Sequence, residues 1–154
     1  MATGGETSTP GRKRAAPRPK FTVGWLERLA FPDWGIEAIE AKVDTGALSS
    51  ALHVEDLTLL KSGRVRFRIV LERDDPGGGV VVRAPVLKWA RVRSSNGDYT
   101  RRCFVRTRVQ AGPVTKLIDL SLVSREKMLY RMLLGRKALK HDFIVDVSRR
   151  YLLG

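Results

Sequence analysis

Short hydrophobic runs alternate with polar and turn-forming residues along the chain from Phe21 onward. Apolar side chains at every second position are typical of half-buried β-strands, and many short strands separated by turns are typical of an all-β barrel or sandwich. Two short helices are predicted over residues 125–130 and 136–140. The predicted strands are residues 22–29, 37–43, 65–72, 80–83, 89–94, 99–109, 115–121 and 143–147.

Turn signals divide this pattern at three places. Residues 33–35, which follow Pro32, predict a turn between the first two strands, and the acidic and glycine-rich residues 73–79 predict a surface loop. Asn96-Gly97 lies between two strand-like runs, which favours a β-hairpin with a two-residue turn.

This hairpin brings arginines together. A turn at residues 96–97 predicts that Arg91 faces Arg102, and one face then carries Trp89, Arg91, Arg93, Arg102 and Phe104. Arginines that face each other destabilise a sheet unless a negative group lies between them. Either solvent and counterions screen this face, or the hairpin covers an acidic ligand.

The composition indicates one domain with a tail. The 154 residues are 43% hydrophobic, which is enough for a core, and no apolar run approaches the roughly 18 residues of a membrane span. We expect residues 1–20 to be a disordered basic tail without a secretory signal, and residues 21–154 to be the domain. A single cysteine, Cys103, excludes an internal disulfide and is typical of a cytoplasmic protein.

The net charge of +13 favours an anionic partner such as nucleic acid, anionic lipid or acidic polypeptide, although it also aids solubility. Residues 1–20 hold five basic residues and one acidic residue and so contribute +4, which leaves +9 on the domain. The basic tail is therefore one candidate for weak nucleic-acid binding, and the folded part is basic in its own right.

The segment Asp44-Thr45-Gly46-Ala47 delivers a carboxylate from a half-apolar strand into a turn, and its glycine allows the close approach of another backbone. An Asp-Thr-Gly triplet alone is a weak signal, because such residues are common in turns. Far downstream, Leu134-Gly135-Arg136 ends an apolar strand and begins a basic helix. An early Asp-Thr-Gly-Ala and a late aliphatic pair before Gly-Arg resemble retropepsins, with the hairpin at residues 96–97 in the place of the flap.

The chain further resembles a bacterial and archaeal family of retropepsin-like peptidases often labelled "ATP-dependent zinc protease". The resemblance covers about residues 23–153, and Ser124 and Arg131 depart from it. Its motifs are Gly24-Trp25-x-Glu27, Pro32, Ala41-Lys42-x-Asp44-Thr45-Gly46-Ala47-x-Ser49-Ser50-Ala51-Leu52, Val65-x-Phe67, Arg93-x-Ser95, Arg101 or Arg102 before Phe104-Val105, Leu122-x-x-Arg125-x-x-Met128, Met132-Leu133-Leu134-Gly135-Arg136 and Val145-Asp146.

The resemblance implies a mainly β fold, a closed acid-protease barrel with a flap hairpin and one or two short helices. It implies a homodimer, because aspartic-peptidase chemistry needs two carboxylates and the chain has one Asp-Thr-Gly motif. Arg136 is expected to be a structural ion-pair partner. The implied site residues are Asp44, Thr45 and Gly46 for catalysis, Ala47, Arg91, Arg93, Arg101 and Arg102 for substrate binding, and Leu134, Gly135 and Arg136 as support.

We expect neither a metal nor another cofactor. His53 and His141 do not form a zinc-binding pattern, and the glycines at 77–79 are not followed by the Lys-Ser or Lys-Thr of a nucleotide-binding loop. Association with ATP-grasp glutamate ligases, also implied by the resemblance, predicts a cytoplasmic endopeptidase for acidic or glutamate-rich polypeptide. The alternative is a non-catalytic module on the same fold that binds nucleic acid or another acidic ligand.

Overall fold

Twelve strands and one short helix make up the described part of the chain, which in this computed structural model comprises residues 19–72, 78–93, 96–124 and 129–154. The helix α1 spans Arg136–Leu139. The strands are β1 (Phe21–Val23), β2 (Leu26–Phe31), β3 (Ile36–Val43), β4 (Ser50–His53), β5 (Glu55–Leu59), β6 (Arg64–Ile69), β7 (Val80–Pro85), β8 (Lys88–Arg93), β9 (Tyr99–Ala111), β10 (Val114–Val123), β11 (Met132–Leu134) and β12 (Phe143–Val145).

The largest sheet closes on itself. Its strand order is β10-β4-β11-β3-β2-β9-β8, and β10 also pairs with β9, so that six strands form a ring and β8 extends from β9. Strands β5, β6 and β7 form a separate antiparallel sheet, and β1 pairs in parallel with β12. The ring lines up β3, β11 and β4 side by side, and this arrangement positions the candidate site.

One hydrophobic core lies inside these sheets. Phe31, Phe67, Leu52 and Met132 are all at most 1% exposed. Burial alternates along most of β6, as expected for a strand with one solvated face, whereas all four residues of β4, which lies between β10 and β11, are buried on both faces of the strand. Alternation of apolar and polar residues therefore predicted β6, which has one solvated face, but not β4.

The predicted strand over residues 22–29 is two strands in the structure. The chain leaves the pairing with β12 after Val23 and joins β3 from Leu26. At the break, a Cβ on Gly24 would lie 2.2 Å from the carbonyl oxygen of Arg149, and the Trp25 N–H donates to that oxygen at 2.8 Å. The prediction of one strand was wrong because this contact with the far end of the chain is invisible in local sequence.

The register of the β8–β9 hairpin also differs from the prediction by one residue. Arg91 faces Arg101 rather than Arg102, and Arg93 faces Tyr99. Residues 94–98, five in number, connect Arg93 to Tyr99, whereas a hairpin with the predicted two-residue turn has an even number of residues between each facing pair. Within it, Gly97 has a φ of 93° and the Asp98 N–H donates to the Asn96 side chain. Arg101, not Arg102, therefore shares a face with Arg91.

Other predictions had different outcomes. The helix predicted over 136–140 forms, and the turn over 33–35 forms as a 3-10 turn over Pro32–Trp34 that ends at Gly35 with a φ of 69°. Strands β4 and β5 were missed. Most of the tail, most of the loop at 73–79 and most of the helix predicted over 125–130 lie outside the described residues. The described residues include no helix with the length and apolar character needed to cross a membrane.

Candidate active site

Asp44 follows the last residue of β3 and begins a tight turn. Its N–H donates to the Leu134 carbonyl at 2.9 Å, which anchors the start of the turn to β11. Its Oδ1 accepts the Gly46 N–H at 3.0 Å, and its carbonyl accepts the Ala47 N–H at 3.2 Å. Within the described chain, Oδ2 has no hydrogen-bond partner. The half-buried carboxylate is thus oriented through one oxygen and presents the other.

The chain after β11 passes directly behind this turn. Strand β11 lies between β3 and β4, with Leu134 paired to Val43 in parallel. A Cβ on Gly135 would lie 2.6 Å from both the carbonyl carbon and oxygen of Ser49 and 3.0 Å from the Ala47 oxygen. These distances are below van der Waals contact, so glycine is required by the close approach of two backbones.

Helix α1 continues the same contact. The Arg136 N–H donates to the Ala47 carbonyl at 2.8 Å, and the Lys137 N–H donates to the Leu48 carbonyl at 3.1 Å. The Arg136 guanidinium donates to the Thr45 carbonyl at 3.1 Å. Arg136 therefore supports the turn through a backbone carbonyl. In the described residues it makes no ion pair, and its expected role as an ion-pair partner stays a prediction.

Two buried serines complete the support of the Asp44 turn, and sequence reasoning did not find the part that Ser121 plays in it. The Ser50 Oγ accepts the Gly135 N–H at 3.0 Å, and the Ser50 carbonyl accepts the Ser121 hydroxyl at 3.2 Å. The two residues are 2% and 1% exposed. For Ser121 the available signal was a serine between two leucines of β10, because a buried hydroxyl requires a partner.

The opposite face of the turn is open. Thr45 and Gly46 are exposed, and Leu48 is 52% exposed. The structure thus brings the predicted catalytic residues and their predicted support together, with one side of the turn packed against β11 and α1.

The arginines predicted to bind substrate lie on the β8–β9 hairpin at the edge of the large sheet, and neither strand pairs with β3, β4 or β11. Aromatic rings hold two of them: the Arg101 guanidinium lies 5.2 Å from the Trp89 ring centre, and that of Arg91 lies 5.0 Å from the Tyr99 ring centre. A guanidinium over the face of an aromatic ring is attracted by the ring quadrupole. The four arginines of the hairpin are Arg91, Arg93, Arg101 and Arg102.

The remaining candidate groups have structural surroundings. His53 is fully buried, and its Nε2 lies 2.8 Å from Glu55 Oε1. Burial raises the pKa of the Cys103 thiol, which favours the neutral form that packs in the core. The described parts of the chain contain no cluster of three or more histidine, cysteine or acidic side chains that could hold a metal ion.

Comparisons with known proteins agree with this architecture. A family profile described as RimB-like, retropepsin-like aspartic endopeptidase RimB, matches residues 22–154. A crystal structure of a protein of unknown function from Legionella pneumophila subsp. pneumophila has a TM-score of 0.71 at 24% identity, and the match covers 86% of this chain and 98% of that one. At this identity the structural likeness shows the fold alone.

Curated relatives carry a different name. Proteins named probable alpha-L-glutamate ligase in Shewanella halifaxensis and Desulfotalea psychrophila are each 33% identical to this chain over 138 residues. The match covers 88% of this chain but 30% of each relative, so the chain spans less than a third of their length.

The family profile covers nearly all of the domain, and the mainly β, retropepsin-like fold expected from the sequence is confirmed. The chain belongs to the RimB-like family of retropepsin-like aspartic endopeptidases.

Proposed function

We propose that this protein is a homodimeric aspartic endopeptidase that hydrolyses acidic, glutamate-rich polypeptide, with one Asp44 from each subunit. The observation that carries the proposal is the Asp44 turn, in which Oδ1 is fixed by the Gly46 N–H and Oδ2 has no partner among the described residues. Membership of a retropepsin-like aspartic endopeptidase family supports the same reading of that carboxylate.

The chemistry explains why two subunits are needed. Two carboxylates about 3 Å apart share one proton, because both cannot be ionised at that separation. The ionised carboxylate takes a proton from water, whose oxygen attacks the scissile carbonyl carbon, while the protonated one donates to the carbonyl oxygen. As the tetrahedral intermediate collapses and the C–N bond breaks, the carboxyl that took the water proton gives it to the departing amine. A hydroxyl of the intermediate returns its proton to the other carboxylate, and the dyad again shares one proton.

The open face of the turn supports assembly about a two-fold axis. A two-fold interface places the same residues of both subunits beside the axis, so Asp44 would meet Asp44. Thr45, Gly46 and Leu48 are exposed on that face and would become interface residues. The Asp44 turn is packed against β11 and α1 on one side and exposed on the other, which is the arrangement expected if the partner subunit covers the exposed side.

Charge and the curated relatives support the acidic substrate. The chain carries a net charge of +13, and the hairpin presents arginines stacked on aromatic rings. Relatives that contain a similar segment are named probable alpha-L-glutamate ligase, which suggests that the segment acts on the glutamate chains such a ligase would make. The reducing cytoplasm is the proposed location, because the one cysteine is buried and unpaired.

Hydrolysis of a glutamate-tailed peptide by the wild type and by Asp44→Asn, each with and without EDTA, tests the catalytic part. We expect cleavage by the wild type that EDTA does not change, loss of cleavage in Asp44→Asn, and specific activity that falls on dilution of the enzyme as dimers dissociate. Asp56→Asn is the matched control, because it removes an exposed carboxylate on the separate sheet. Cleavage that survives Asp44→Asn but stops with EDTA would refute the proposed site.

The hairpin arginines test substrate choice. Arg91→Ser with Arg101→Ser should raise KM for glutamate-rich peptides much more than for neutral ones, because only the former place carboxylates beside the hairpin. Arg66→Ser with Arg83→Ser is the matched control, since those arginines also face each other across two strands but lie on the separate sheet. Equal effects of the hairpin variant on acidic and neutral peptides would contradict this assignment.

Nucleic-acid binding is the second candidate, and the rings of Trp89 and Tyr99 beside hairpin arginines favour it. Single-strand binders combine stacking aromatic rings with cations along the backbone. Salt-sensitive binding of single-stranded RNA or DNA that persists in Asp44→Asn, together with no peptide cleavage by the wild type, would support this function instead.

A further inference from the structure

Two surface cavities share one lining residue, Lys137, and the first of them lies beside the Asp44 turn. The first has a volume of about 270 Å³ and is lined in part by Ser49, Ser50 and Lys88. The second has a volume of about 560 Å³ and is lined in part by Lys140. Ser49 and Ser50 follow the turn closely in sequence, so the first cavity adjoins the candidate active site, and the second adjoins the first at Lys137. The two cavities together are called the groove below.

The acidic groups in this groove are already neutralised. Asp119 pairs with Arg106 across β9 and β10 at 2.7 Å, and Asp142 pairs with Lys116 at 2.6 Å. These four residues line the cavities and contribute no net charge.

Three lysines remain: Lys88, Lys137 and Lys140. Each is exposed and makes no ion pair with any described residue. The groove therefore holds an excess of three positive charges, which favours a polyanionic occupant.

The lysines are attached to rigid parts of the fold. The Lys88 Nζ lies 5.0 Å from the Phe104 ring centre at the start of β8. Lys137 lies in α1, and its N–H donates to the Leu48 carbonyl at 3.1 Å, which connects it to the Asp44 turn. Lys140 directly follows α1, with its N–H bonded to the Arg136 carbonyl at 2.9 Å. The backbones of these lysines are therefore held in place, and the Lys88 ammonium is also attracted by the ring beside it.

We propose that this groove is an exosite for the acidic chain of the substrate, in which Lys88, Lys137 and Lys140 bind carboxylates that lie beyond the scissile bond. The proposal rests on the proposed function for the identity of the substrate, and it adds a binding surface distinct from the hairpin arginines. Its consequence is that long glutamate tails bind better than short ones, because only a long tail reaches from the turn to Lys140.

Binding without cleavage provides the first test. The full chain with Asp44→Asn is titrated into a fluorescent peptide of ten glutamates, and anisotropy gives the Kd. Lys137→Gln with Lys140→Gln should weaken binding about 5- to 20-fold, because an exposed ion pair is worth up to about fivefold in affinity. Lys137→Arg with Lys140→Arg should retain the affinity.

A matched control removes two charges elsewhere. Lys61→Gln with Arg66→Gln changes exposed cations of the β5–β6 region that line neither cavity, and it should change Kd less than twofold. Equal weakening by the groove and control variants would overturn the exosite and leave only general charge attraction. A thermal unfolding midpoint for each variant separates misfolding from lost contacts. If the Lys137 and Lys140 variant is unstable, Lys88→Gln removes a groove charge on a different element and should also weaken binding.

Cleavage separates failure of this proposal from failure of the proposed function. The wild type should show a lower KM for ten-glutamate than for three-glutamate tails, and the groove variant should lose that difference. If the wild type cleaves neither peptide, the proposed function fails while the binding titration still decides whether the groove binds acidic chains. If cleavage occurs and the groove variant keeps the full length dependence, the exosite is wrong.

Discussion

Gly135→Ala is the substitution that most directly connects the fold to the candidate site. The new Cβ would lie 2.6 Å from two backbone atoms of Ser49 and 3.0 Å from the Ala47 carbonyl oxygen. Carbon atoms pack best at about 3.5–4.0 Å, so the turn and the chain after β11 must separate by roughly 1 Å. No flexible side chain can absorb this change, because the contacted atoms all belong to the backbone.

The magnitude follows from that displacement. Overpacking of a close contact destabilises a protein by about 1–3 kcal/mol, and a 1 Å misplacement of catalytic groups lowers the rate about 100-fold. The separation also strains the bonds from the Gly135 N–H to Ser50 Oγ and from the Arg136 N–H to the Ala47 carbonyl. We therefore expect loss of activity to exceed what partial unfolding alone would produce.

Urea unfolding and hydrolysis of a glutamate-tailed peptide, measured on the same preparation, test this reasoning. Gly63→Ala is the matched control: its φ of 70° disfavours alanine by about 1–2 kcal/mol, yet nothing lies within 4 Å of the new Cβ. The control should lose stability and keep its activity. Wild-type stability and activity in Gly135→Ala would refute the requirement for glycine, and equal activity loss in both variants would assign the effect to stability alone.

Two further substitutions test contacts elsewhere in the fold. Glu27 is fully buried, and its carboxylate accepts the Gly24 N–H at 2.6 Å and the N–H groups of residues 152 and 153 at 2.9 and 3.1 Å. In Glu27→Gln the amide nitrogen would face one of these donors, so we expect the free energy of unfolding in urea to fall by about 2–4 kcal/mol. A change below about 0.5 kcal/mol would contradict this expectation. The Arg108 guanidinium hydrogen-bonds Asp33 and lowers the pKa of that carboxyl below its ordinary value. The pair therefore stabilises the fold above the unfolded-state pKa, and the stabilisation disappears as pH falls through the folded-state pKa. The difference in thermal midpoint between wild type and Asp33→Asn should therefore shrink with acidification from pH 6 to pH 3, and a constant difference would argue against the pair.

The sequence predicted the candidate site better than the path of the chain around it. Asp44 and Gly135 are far apart in sequence, and only the family resemblance suggested that they meet; local periodicity contains no information on which strands pair. Once β11 lies between β3 and β4, the glycine and the turn are brought together by register alone. Whether these residues catalyse a reaction remains a prediction for the Asp44→Asn experiment.

The errors in the prediction have physical causes that act over a distance. Strand β4 has no polar alternation because both of its faces are buried, so a period of two could not reveal it. The hairpin register depends on whether the loop has an odd or even number of residues, and the Asn-Gly pair alone does not determine that number. Glu27 stood out only as a motif residue, and its role became visible when its partners were found at the other end of the chain.

The position of Asp44 is determined by segments from three parts of the chain. The Trp25 carbonyl accepts the Val43 N–H at 2.8 Å, and the Leu134 carbonyl accepts the Asp44 N–H at 2.9 Å, so strands on both sides fix the end of β3. Trp25 is fixed in turn, because its N–H donates to the Arg149 carbonyl near the C-terminal end. These contacts define where the turn begins, yet they leave Thr45 and Gly46 exposed. A subunit built in this way orients one carboxylate accurately without enclosing it, and this is the arrangement required if a second subunit is to complete the site.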